Sequence, residues 1–149
     1  MRIAFASDHG GYLLKRHLME YLQKEGYEVH DFGCYGTDSC DYADYAIPAS
    51  IAVAQGEYDR GIVICTTGIG VSICANKVNG IRCALCDCTE TAKLTREHND
   101  TNVLAMGEIL VAPKMAEKIC DIWLTTEFQG GRHARRIGKI SEYERIREA

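Results

Sequence analysis

Four short segments carry side chains able to move protons or hold an anion. Ser7-Asp8-His9-Gly10-Gly11 joins a carboxylate and an imidazole to two glycines. Cys65-Thr66-Thr67-Gly68-Ile69-Gly70 sets a thiol before a glycine-rich turn. Glu97-His98-Asn99-Asp100 offers a second histidine in a polar run, and Arg132, Arg135 and Arg136 follow the pair Gly130-Gly131. Thiolates and imidazoles are bases suited to neutral pH. Arginines present permanent, bidentate cations that match a phosphate. Glycines let successive backbone N–H groups converge on one negative charge.

Such groups need a frame. Short apolar runs at 3–6, 29–32, 61–65, 81–86 and 103–106 read as strands covered on both faces, because they are near-continuously apolar. Helical stripes lie between them. Leu14, Leu18, Tyr21 and Leu22 form one, ended by Gly26. Ile47, Ile51 and Ala54 form another, with Pro48 near its start and Gly56 after it. Met115, Ile119, Ile122 and Trp123 form a third, entered through Pro113. The alternation predicts an open parallel α/β sheet with right-handed crossovers. After Gly131 comes a basic amphipathic tail with Ile137, Ile140 and Tyr143 on one face, suited to capping the fold or lying across a second subunit.

Ligands of open parallel sheets bind beyond the carboxyl ends of the strands. Asp8-His9 and Cys65 to Gly70 fall there. A helix starting near Val71 would add its N-terminal dipole, favouring an anion and a thiolate, so Cys65 is a candidate base. The alternative is a thiol that merely ends a buried strand. A dinucleotide fingerprint would need a third glycine where Ile73 stands, with only Asp87 in its favour. A cysteine-phosphatase loop would need an arginine at Val71, although Ser72 follows as it would there. Asp8 or Ser7 could equally cap the helix beginning near Gly10. His98 reads as an acid–base group or as an exposed loop histidine, and His17 and His30 as surface or packing residues. The arginine run is a phosphate clamp or a solvated face.

The 149 residues, 46% hydrophobic and 26% charged, suit one domain spanning 1–149 with a real core. A net charge of -4 argues against nucleic-acid partners. Apolar runs are too short for a bilayer and no signal peptide is evident, so a soluble cytoplasmic protein is expected. Most of the eight cysteines are then expected to be reduced, small, buried hydrophobes. Cys83, Cys86 and Cys88 lack the second pair of a zinc finger, and no metal site is expected.

The motifs Ser7 to Gly11, Cys65 to Gly70, Ala75-Asn76-Lys77, Glu97 to Asn102 and Gly130-Gly131-Arg132-His133 together resemble the type-B ribose-5-phosphate isomerases. That family includes galactose- and allose-6-phosphate isomerases. The resemblance runs in order along nearly the whole chain. It implies a doubly wound, Rossmann-like, five-stranded parallel sheet flanked by helices, with the C-terminal helix (131–149) reaching a partner subunit. It also implies a homodimer with active sites between subunits, a tetramer being open, and no metal or organic cofactor. By the same resemblance Cys65 is the general base and His98 opens the furanose ring, with Asp8 beside it on the sugar hydroxyls. Thr66, Thr67, Gly68, Ile69 and Gly70 form the enediolate hole, and Asn99 contacts a hydroxyl. His9, Arg132 and Arg136 gather the phosphate, the arginines coming from the partner's tail. The implied reaction interconverts ribose 5-phosphate and ribulose 5-phosphate.

Two departures bear on the substrate. Thr66 stands where the family has glycine, and Ile109 where ribose-phosphate members commonly have an arginine. The alternatives are an isomerase of a hexose 6-phosphate or of a free ketose, and a non-enzymatic module binding a nucleotide or sugar phosphate.

Overall fold

The computed structural model describes all 149 residues. In chain order the elements are β1 (Arg2–Ser7), a single 3-10 turn (His9–Gly11), α1 (Tyr12–Lys24), β2 (Glu28–Asp31), α2 (Ala43–Ala54) and β3 (Arg60–Cys65). Then come α3 (Ile69–Asn76), β4 (Cys83–Leu85), α4 (Thr89–Asn99), β5 (Val103–Gly107), α5 (Pro113–Thr125) and α6 (Arg132–Glu148). All five strands are parallel, in the order β2-β1-β3-β5-β4. The winding reverses between β1 and β3, so a doubly wound sheet with its switch point at those two strands is the observed architecture.

Alternation along the strands sorts two unlike cores. Ile3, Phe5, Ile62, Ile64, Leu104 and Met106 point to one face, where Leu14, Leu18 and Leu22 of α1 and Ile119 and Trp123 of α5 cover them. Ala4, Ala6, Val63 and Ala105 point to the other, against Ala46, Ala49 and Val53 of α2 and Val71 and Ala75 of α3. Burying each of the larger side chains contributes roughly 1.5–3 kcal/mol. Trp123 is fully buried, and its indole N–H donates to Thr101 Oγ1 at 2.9 Å, so no polar atom is stranded there.

Several expectations need correction. Ile47, Ile51 and Ala54 face outward, while the buried face of α2 is made of small residues. Small side chains on strand and helix allow close approach, and shape rather than hydropathy chooses the face. Pro48 lies inside α2, not near its start. β4 is three residues long rather than the expected six, and it and β2 are sheet edges with half-exposed strands instead of strands covered on both faces. His98 and Asn99 belong to no loop: they form the last turn of α4, a polar helix ended by Asp100 at φ 44°.

Lys15 of α1 is wholly buried, its Nζ donating to Asp31 Oδ1 at 2.6 Å and to the carbonyl of Cys34. A buried ammonium is tolerable only when paired in this way. The pairing ties α1 to the segment after β2. α6 folds back on its own chain, where Glu144 accepts the Gly80 N–H at 3.0 Å and Glu148 accepts from Asn79. Ile140, Tyr143 and Ile146 remain exposed on it. No helix is long and apolar enough to cross a membrane.

Candidate active site

Pairing of Ser7 with Ile64 sets the tips of β1 and β3 side by side. Asp8 and Cys65 therefore emerge next to each other at the switch point. Asp8 is buried, and its Oδ1 accepts the N–H groups of Gly10 (2.9 Å) and Gly11 (3.2 Å), so the capping role is realised. His9 follows, half-buried, with Nδ1 accepting the Cys40 N–H at 3.2 Å. An acceptor at Nδ1 places the ring proton on Nε2, ready to donate to an anion.

Cys65 is only 5% exposed, and its Sγ accepts the Gly68 N–H at 3.1 Å. That bond is possible because Gly68 takes φ 80°, turning the chain into α3. A Cβ at Gly68 would stand 2.7 Å from the Met106 carbonyl carbon and 2.9 Å from the Gly107 nitrogen, backbone atoms that cannot give way, so no other residue fits. Thr67 Oγ1 accepts the Ile69 N–H at 3.3 Å. The successive N–H groups at the start of α3 can stabilise an oxyanion beside the thiol. Burial pushes the thiols of Cys74, Cys83 and Cys120 up and that of Cys86 to about 11, so these are neutral packing groups at physiological pH. All eight cysteines are free.

Two contributors escaped sequence reasoning. The ring of Tyr42, the residue before α2, covers Gly70, where a Cβ would lie 2.8 Å from Tyr42 Cζ. The backbone of Cys40 orients His9. Neither has a spacing signal, since each acts through a loop that only the fold brings across.

The remaining candidates lie elsewhere. α4 runs antiparallel to the strands and returns the chain to their N-terminal ends, the far side of a sheet about 16 Å deep along β3. His98 and Asn99 therefore sit at the opposite end from Cys65, and the expected adjacency of His98 and Asp8 does not occur within one chain. There His98 stacks on His133, and the Asn99 carbonyl accepts Arg82 Nε at 2.8 Å. Arg132, Arg135 and Arg136, all exposed, start α6 beside this stack. Each chain thus carries two clusters: Asp8, His9 and residues 65–70 at one end, and His98, Asn99, Arg132 and Arg136 at the other.

Fold and site together define a doubly wound α/β protein with acid–base groups and an anion cradle at its switch point. The chain belongs to the ribose/galactose isomerase family, whose model matches residues 3–140. It is 45% identical over 146 residues to ribose-5-phosphate isomerase B of Escherichia coli, covering 98% of each chain. Its fold superposes on ribose-5-phosphate isomerase B of Clostridium thermocellum with a TM-score of 0.96 at 55% identity, covering 98% of this chain and 99% of that one. The Mycoplasma genitalium ribose-5-phosphate isomerase B, solved with bound ribulose-5-phosphate, matches with a TM-score of 0.93 at 41% identity over 97% and 96% of the two chains.

Proposed function

We propose that the chain is an aldose–ketose isomerase interconverting D-ribose 5-phosphate and D-ribulose 5-phosphate through an enediolate. The observation that carries this reading is the placement of Cys65, held by the Gly68 N–H, beside Asp8 and His9 at the switch point. Opening the furanose breaks the C1–O4 bond: His98 gives a proton to O4 and is recharged by the proton that O1 loses as the C1 carbonyl forms, while Asp8 holds the sugar hydroxyls. The Cys65 thiolate then removes the proton on C2, and the electron pair passes to the C1 carbonyl oxygen. Thr67 and the N–H groups of 66–70 stabilise that oxyanion. The proton moves from Cys65 to C1, the O2 hydroxyl proton moves to O1, and the ketone forms at C2. His9, Arg132 and Arg136 hold the phosphate, whose binding positions the reacting end.

One chain cannot assemble this set, so a homodimer is part of the proposal. One copy supplies Asp8, His9 and Cys65, and the other supplies His98, Asn99 and the arginines. Supporting this, Ile69 and Ile73 of α3, Leu85 of β4 and Leu94 of α4 are 51%, 56%, 44% and 40% exposed. They make an apolar flank of the kind that marks an interface. A reading as a hexose-6-phosphate isomerase draws on Ile109, 68% exposed at the end of β5 and unable to pair with a phosphate.

An isomerisation assay over ribose 5-phosphate, allose 6-phosphate, galactose 6-phosphate and free ketoses tests these readings. Ribose 5-phosphate is expected to show the highest kcat/KM. Preference for a hexose phosphate would replace the substrate. Tight phosphate-ester binding without exchange of the C2 proton into deuterated water would make the protein a binding module.

A further inference from the structure

The two loops at the switch point touch at one place. The β1 loop supplies Asp8 and His9, and the β3 loop supplies Cys65 and the N–H groups after it. Between them, the Thr66 side chain crosses to Gly10. A Cβ built on Gly10 would lie 2.0 Å from Thr66 Oγ1 and 3.2 Å from Thr66 Cβ. The threonine therefore occupies the space in front of residue 10, and it does so from an exposed position at the mouth of the site. It stands one residue past the thiol and faces the residue next to His9.

We propose that the Thr66 side chain sets the length of the sugar phosphate this site accepts, admitting five carbons and crowding six. The inference rests on the isomerase reading for the ends of the substrate: reacting carbons at Cys65, phosphate at His9. With both ends gripped, an added CHOH unit cannot lengthen the molecule and must bulge sideways between the grips. Thr66 fills the gap through which it would bulge. Shape alone discriminates one such unit modestly, by roughly tenfold to a few hundredfold. That is enough to rank pentose above hexose phosphates without a dedicated hydrogen bond.

The test compares wild type, Thr66→Gly and Thr66→Val. One readout is kcat/KM for ribose 5-phosphate and allose 6-phosphate. The other, independent of turnover, is the calorimetric Kd for the acyclic polyol phosphates ribitol 5-phosphate and sorbitol 6-phosphate. Thr66→Gly is expected to raise the six-to-five-carbon ratio about tenfold or more in both readouts. Thr66→Val, which keeps the bulk and loses the hydroxyl, is expected to hold both ratios within about threefold of wild type. An unchanged ratio in Thr66→Gly overturns the proposal, as does a Val variant that shifts like Gly. If wild type binds the polyol phosphates yet isomerises no sugar phosphate, the isomerase reading fails while the polyol ratio still decides the role of Thr66. If wild type neither isomerises a sugar phosphate nor binds either polyol phosphate, both fall.

Discussion

His133 stacks on His98 with ring centroids 4.3 Å apart and planes 14° from parallel. The His133 ring is buried, and its Nε2 has no hydrogen-bond partner. Burial first, then the neighbouring His98, Arg132 and Arg136, hold the His133 imidazole below the usual histidine range. A histidine depressed in the folded state stabilises the fold above its unfolded value, about 6.5, and loses that contribution as pH falls through it. Urea midpoints at pH 7.5 and 5.5 should therefore fall further on acidification in wild type than in His133→Phe. Equal falls would remove His133 as the titrating group.

Cys65→Ala should fold, because the side chain is small and the Gly68 φ angle does not depend on it. It should also isomerise at least about a hundredfold more slowly, the scale of general-base catalysis. Near-wild-type turnover in Cys65→Ala, with an unchanged circular dichroism spectrum, would dismiss the thiol as base.

The two separated clusters predict complementation. Homodimers of Cys65→Ala and of His98→Asn should each be inactive. Co-refolding them in equal amounts gives mixed dimers in which one of the two sites has both native residues. Activity should recover to roughly a quarter of wild type under twofold symmetry. No recovery would mean that both residues act within one chain.

Cys88 differs from the packed thiols. The Thr91 hydroxyl lies 3.3 Å from its sulfur and draws the thiol below its ordinary range, and the residue is half-exposed at the start of α4. In a Cys65→Ala background, which removes the thiol at the switch point, alkylation by iodoacetamide should have one fast phase, rising below the ordinary thiol midpoint of about 8.5. Mass mapping should place that phase on Cys88, and Cys88→Ser should abolish it. A fast phase that maps to Cys83 or Cys120 would contradict the burial of those sulfurs.

Sequence pattern carried the sheet well, because buried parallel strands are near-continuous apolar runs and their tips fall where the glycine loops begin. It misjudged α2, where Ala46 and Ala49 rather than Ile47 and Ile51 meet the small-residue face of the sheet. It missed α4 as a helix for a related reason. That helix turns inward Ala92 and Arg96, and the guanidinium is anchored by the Thr101 carbonyl at 2.6 Å and by Asp100. Hydrogen bonds in place of an apolar stripe leave no periodic signal. The loop from Cys65 to Gly70 was legible residue by residue, since thiol, threonines and glycines are contiguous. The placement of the two clusters at opposite ends was not, because it follows from helix direction and only the resemblance hinted at it.

The pairing of Lys15 has a use outside catalysis. An amine with no solvent contact, bonded to Asp31 and to the Cys34 carbonyl, is closed to acylating reagents while the chain is folded. Surface lysines label at once, so the slow appearance of label on this one position is a clock for opening of the α1–β2 side. A lysine acylated in denaturant should in turn block return to the native state, making Lys15 a built-in reporter of whether a given molecule was ever unfolded.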